Sequence, residues 1–153
     1  MDEQYWQSKE LYAAFGLVML QSQCIERNLA MLLVAAQAGD ASSICSPCLG
    51  NLYDKAFKKT LGQLLALARQ KISVSADLDL RLISALEKRN FLTHNYFWER
   101  TSEIQTVVGK AKMISELKKI SREFYELDME LTPITREMGQ SLGYSAERVQ
   151  ELL

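Results

Sequence analysis

The stretch EQYWQSKELYAAFGLVMLQSQCIERNLAMLLVAAQA, residues 3–38, decides the fold class. It holds no proline and one glycine, Gly16, and it is rich in Leu, Ala, Glu and Gln. A run of helix formers this long predicts one helix from about Glu3 to about Ala38. At 1.5 Å per residue its length would be roughly 50 Å if straight. That is long for a small bundle, so a bend is expected, with Gly16 the candidate. Gly39-Asp40-Ala41-Ser42-Ser43 then breaks the helix.

Outward from this helix the same pattern recurs. A loop runs through Cys45-Ser46-Pro47-Cys48-Leu49-Gly50. A second helix is expected from about Asn51 to Lys71, with Asn51 as N-cap and Asp54 in the first turn. Ser73-Val74-Ser75 is a linker, and Ser75 caps a third helix that ends near Arg100. Thr101 to Val108 is rich in β-branched residues, but a lone strand has no partner, so it reads as a loop. A fourth helix is expected from about Lys110 to Leu131, ended or kinked by Pro133. A short last helix follows from Ser145, after Gly143. No repeat, low-complexity tract or linker divides residues 1–153, which read as one domain. The expected fold is all-α: an up-and-down bundle of four main helices plus a short C-terminal helix.

The bulk numbers narrow the function classes. The 153 residues are 48% hydrophobic and 24% charged, which suits a globular chain with a core. The formal net charge is −1, so any nucleic-acid contact must be local and not a broad basic footprint. The start, Met1-Asp2-Glu3-Gln4, is acidic where a secretory segment would be basic. The most apolar stretch, Leu29 to Ala36, is too short to span a bilayer. Three cysteines without framework spacing point to a reducing, cytoplasmic setting without membrane attachment.

The chemistry concentrates in Arg89-Asn90-Phe91-Leu92-Thr93-His94-Asn95-Tyr96 on the third helix. On a wheel of about 100° per residue, Leu78, Leu82, Ile83, Leu86, Tyr96 and Phe97 form the core arc. Asp77, Arg81, Ser84, Lys88, Asn95 and Glu99 lie opposite. Arg89 and Asn90 project into the apolar arc, and His94 sits at its edge. A guanidinium without a partner is costly on such a face. A carboxylate, a second subunit or a ligand phosphate would offset that cost. Arg89 and His94 are five residues apart and diverge by about 140° on a straight helix. A kink could bring them together, as could two copies of the helix meeting across a two-fold axis. His is the side chain that serves as acid or base near neutral pH, and Arg can meet the charge of a phosphorane with its fork. That pairing suits attack of a ribose 2′-OH on the adjacent phosphate, with no metal or cofactor needed.

Arg89-Asn90-Phe91-Leu92-Thr93-His94 resembles the R-polar-x-x-x-H signature of the HEPN superfamily. His94-Asn95-Tyr96 extends it to the R-x-x-x-x-H-x-Y form of HEPN toxins from two-gene toxin–antitoxin systems. The resemblance implies a homodimeric helical bundle with a composite ribonuclease site acting on RNA. It implies that Arg89 and His94 are catalytic and that Asn90 supports them. It also implies Tyr96 as a candidate modification site for a nucleotidyltransferase antitoxin that AMPylates it. A packing role with the hydroxyl at the rim is the favoured reading of Tyr96. The other reading of the whole cluster is a structural one: a non-catalytic interaction module that organises a dimer or holds a nucleotide or protein partner.

Supporting residues follow from position. Glu26 interrupts an apolar stretch of the first helix and either pairs with Arg89 or lies on a solvated face. Lys88 and Arg100 are the basic residues nearest the motif. Lys55, Lys58 and Lys59, and Lys110, Lys112, Lys118 and Lys119, read as solvated faces. Tyr5, Trp6 and Tyr12 read as core or interface packing. Cys45 and Cys48 have C-x-x-C spacing, but a zinc site needs a second pair and a thioredoxin-like site a βαβ unit. They read as loop cysteines without function.

Overall fold

The computed structural model describes residues 3–39, 42–145 and 147. Its elements are helices throughout: α1 (Glu3–Ala38), α2 (Ser46–Phe57), α3 (Leu61–Lys71), α4 (Ala76–His94), α5 (Tyr96–Glu99), a 3₁₀ turn (Glu103–Gln105) and α6 (Val107–Ser141). No strand occurs among the described residues, so the all-α expectation holds.

Two long helices form the frame. α1 buries Leu11, Val18, Ile25, Leu29 and Leu32 at spacings of three, four and seven. α6 buries Met113, Leu117, Ile120, Phe124, Leu127 and Leu131 in strict alternation of four and three. These stripes belong to one core. Polar ties along their edges rise together in number: Lys110 to Ser8, Lys118 to Glu10, Ser121 to Gln21 and Asn28 to Asp128. α1 and α6 therefore run parallel. α4 runs against both, through Arg81–Glu130 and Lys88–Glu123 on α6 and Arg89–Glu26 on α1. α2 runs back along α1, and α3 lies antiparallel to α4 through the Arg69–Asp79 pair at 2.6 Å. The directions alternate, as an up-and-down bundle requires.

Several boundaries differ from the expected ones. α1 matches, running without interruption through Gly16 and ending before Gly39, whose φ of +65 suits glycine. The expected second helix is two helices. α2 starts earlier, because the Cys45 sulfur accepts the Cys48 N–H and Pro47 fills the first turn. It stops at Phe57, and Thr60 and Gln63 form a capping box that starts α3. Cys45 and Cys48 are joined in a disulfide, where unlinked loop cysteines were expected.

The third helix begins under Ser75, as expected, but ends at His94 rather than near Arg100. Asn95 leaves the helical region with φ −125 and ψ −20, and α5 resumes at Tyr96. Thr106 caps α6 through the Gly109 N–H at 3.0 Å, so the fourth helix begins at Val107 and not Lys110. It also runs past Pro133 to Ser141. Pro133 removes the donor for the Met129 carbonyl. Pro133 and Met129 are both exposed, so water can satisfy that carbonyl. The short helix expected from Ser145 falls largely on residues outside those described.

The two helical glycines Gly16 and Gly109 make opposite predictions. A Cβ at Gly16 would meet nothing within 4 Å, so Gly16→Ala should raise stability by about 0.5–1 kcal/mol. A Cβ at Gly109 would lie 2.6 Å from the Glu103 Cα, where α6 crosses the 3₁₀ turn. Gly109→Ala should lower stability by roughly 1–3 kcal/mol. Urea unfolding of both variants checks the pair.

Candidate functional site

The site is built on the last turns of α4 and the start of α5. α4 packs against both α1 and α6, which also pack on each other, and that placement decides where each motif residue points. Leu78, Leu82, Ala85 and Leu92 are buried, and Ile83, Leu86 and Phe91 pack against the core. Arg81, Ser84 and Lys88, expected on the solvent face, instead lie along α6. Arg81 binds Glu130 and Lys88 binds Glu123. A helix flanked by two neighbours has two inward edges, which a single core arc does not describe.

Arg89 turns toward α1. Its Nη2 lies 3.2 Å from Glu26 Oε1, with the side chains only 24% and 22% exposed. This is the carboxylate that offsets the guanidinium, supplied within one chain. Of the two sequence alternatives for Glu26, it is the Arg89 partner. The pair is an ion pair without a hydrogen bond: Arg89 Nε and Glu26 Oε1 are buried and find no hydrogen-bond partner among the described residues. Arg89 Nη1 also donates to Asn90 Oδ1 at 3.2 Å. Arg89 is thus charge-matched while part of its donor capacity is unspent.

Asn90 is exposed, not inserted among apolar residues as the wheel suggested. His94 is exposed as well and makes no hydrogen bond or ion pair among the described residues. The helix is uninterrupted from Arg89 to His94, and its break comes one residue later, at Asn95. No kink therefore turns Arg89 toward His94. One chain presents Asn90 and His94 to solvent and holds Arg89 against α1.

Tyr96 lies at the centre of an aromatic cluster. It is 1% exposed, and its ring neighbours are Phe15, Phe91 and Phe97 at 6.0, 5.8 and 5.4 Å. Its hydroxyl donates to the Met113 carbonyl at 3.2 Å and lies 3.3 Å from Glu116. Burial, followed by the negative Glu116, pushes its pKa up to about 12. These facts fit the packing reading of Tyr96, except that its hydroxyl is buried against α6 and not at the rim. A nucleotidyl group could reach the hydroxyl only after this cluster opened.

Arg100 binds Glu116 through two nitrogens and stacks over Phe91 and Tyr96. The hydrogen bond to Glu116 holds its pKa above the usual arginine value. Lys88 and Arg100 are therefore both neutralised by α6 carboxylates. Of the basic groups expected on solvated faces, Lys110 is buried, at 5% exposure, and donates to Ser8 at 2.9 Å.

Sequence reasoning missed Trp98. It is 80% exposed, the most open large hydrophobic residue among those described. Its signal was its spacing, four residues after His94, as His94 follows Asn90 by four. Tyr5, Trp6 and Tyr12 are also exposed, at 51%, 53% and 57%, so they are not core residues of this chain. Tyr12 touches Phe97, at 6.0 Å between rings, which brings this face of α1 beside the motif. Leu17 and Leu20 are exposed too, Leu17 on the flank of α1 beside Lys118 and Ser121 of α6 and Leu20 on the flank beside Phe57.

Among the described residues no group of His, Cys, Asp and Glu could hold a metal ion, and no helix is long and apolar enough to cross a membrane. In comparisons with family models, with curated proteins and with solved structures, the chain matches none of them.

Proposed function

We propose that two copies of this chain form a metal-independent endoribonuclease of the HEPN kind, with Arg89 of one copy facing His94 of the other. The observation that carries the reading is the split within one chain: His94 is open and unengaged, while Arg89 points away along an unbroken helix. Neither residue completes a site alone. Tyr5, Trp6, Tyr12, Leu17 and Leu20 on α1 and Trp98 on α5 are exposed apolar side chains, with Tyr12 packed on Phe97 close after the motif, and they supply apolar surface for a second copy.

In the proposed reaction His94 takes the proton of a ribose 2′-OH, whose oxygen attacks the adjacent phosphorus. The bond to the 5′ oxygen breaks as that oxygen takes up a proton from water, leaving a 2′,3′-cyclic phosphate and a 5′-hydroxyl. Arg89 meets the charge that builds on the phosphorane. The unspent Nε–H of Arg89 fits this role, provided the second copy or the RNA draws the side chain from Glu26. A cytoplasmic toxin or defence role, countered by a nucleotidyltransferase antitoxin, belongs to the same proposal.

A specific observation favours a second reading. The Glu26–Arg89 pair already balances the half-buried charge, as a purely structural cluster would. Under it the chain is a non-catalytic module that organises a dimer or holds a partner.

The test is incubation of the purified protein with labelled single-stranded RNA in excess EDTA. Cleavage by wild type but not by Arg89→Ala or His94→Ala supports the ribonuclease. Intact RNA with folded wild type supports the interaction module. In that case Arg89→Ala changes thermal stability or dimerisation, and neither wild type nor variant cuts RNA.

A further inference from the structure

The disulfide at the head of α2 is unused by the reading above and stands independently of it. Cys45 and Cys48 are both exposed, and their bond spans a sequence separation of three. A structural disulfide acts mainly by constraining the unfolded chain, and the effect grows with the loop it closes. This loop encloses only Ser46 and Pro47. The turn it encloses already has its own determinants, since Cys45 caps the helix and Pro47 fills its first turn. A staple is therefore a poor account of the bond.

The local chemistry suits exchange. The Cys48 N–H donates to the Cys45 sulfur at 3.2 Å, at the N-terminus of a helix of 12 residues. When the bond opens, this donor and the helix dipole stabilise a thiolate on Cys45, which makes it the better leaving group. Both sulfurs are open to an incoming thiol.

We propose that Cys45-Ser46-Pro47-Cys48 is a reversible thiol–disulfide exchange site whose co-substrate is a small thiol of the glutathione type. An external thiolate attacks the Cys48 sulfur, forming a mixed disulfide and breaking the Cys45–Cys48 bond. Cys45 leaves as a thiolate. A second external thiolate attacks the external sulfur of the mixed disulfide and releases Cys48. The protein gains two electrons and two protons, and two small thiols become one small disulfide. The reverse sequence re-oxidises the pair. Leu49, the next residue, is 1% exposed and lines a recess of about 500 Å³ with Tyr53, Met31 and Val34.

The full-length protein is equilibrated with mixtures of reduced and oxidised glutathione, the thiols are trapped by alkylation, and the intact mass is read. The expected result is one transition in which Cys45 and Cys48 change together, in mixtures containing both forms of glutathione. A bond that survives reduced glutathione alone overturns the proposal. So do thiols that stay free in oxidised glutathione. A second arm uses Cys48→Ser, its fold checked by circular dichroism. Its Cys45 should form the mixed disulfide with oxidised glutathione at least ~10-fold faster than Cys24 does. Equal rates overturn the assignment.

Discussion

His94→Ala removes RNA cleavage, with a fall of about 10²- to 10⁴-fold in rate, the range set by loss of a general acid–base group. Stability should stay within roughly 0.5 kcal/mol of wild type, because the side chain is exposed and unengaged. The combination is the informative part. Loss of cleavage with an unchanged melting curve assigns His94 to chemistry and not to folding. Arg89→Ala lacks this clarity, since it also strands Glu26 on a side chain only 22% exposed. The measurement is the rate of cleavage of a labelled single-stranded RNA in EDTA, beside a thermal melt of the same preparation. Wild-type cleavage retained by His94→Ala would remove the basis of the proposed function.

Phe124→Ala has the largest expected effect on folding. Phe124 is 1% exposed in the middle of the α6 stripe. Its ring sits where α4 crosses α6, beside Ala85 and Leu127. Removing it deletes a large buried apolar surface and leaves a cavity that two long helices cannot easily close. The expected loss is about 3–5 kcal/mol. For a chain of this size that corresponds to a fall in melting temperature of roughly 10 °C or more. Trp98→Ala is the control. Its ring is 80% exposed, and the expected change in the monomer is within about 0.5 kcal/mol. Equal losses from the two variants would mean that α6 does not form the core.

The long helices were the most legible part of the sequence. α1 is bounded by a glycine that adopts positive φ, and its buried apolar residues keep helical spacing from Leu11 to Leu32, about six turns. The break between α2 and α3 was also written in the chain, as Thr60 and Gln63 in capping-box register, but a continuous apolar pattern hid it. The Asn95 break was not legible, since no glycine or proline marks it. It accompanies the burial of Tyr96, whose hydroxyl is bound to α6 residues 17 and 20 positions away. Such long-range contacts lie beyond local propensity. The same limit applies to the site. The Glu26–Arg89 pairing could be named but not chosen from sequence. The openness of Asn90 depended on α4 packing against two neighbours. Pro133 misled in the opposite direction: the rule against proline in helices weakens where the orphaned carbonyl meets water.

The central claim is that the site is shared between two copies, and mixing inactive variants tests it most directly. Arg89→Ala and His94→Ala are each inactive as homodimers under this account. When the two are unfolded together and refolded as a mixture, about half of the dimers carry one chain of each kind. In these, one site lacks both residues and the other has intact Arg89 and intact His94 from different chains. Cleavage should return to about a quarter of the wild-type level. Mixtures that stay as inactive as either variant alone would contradict the account.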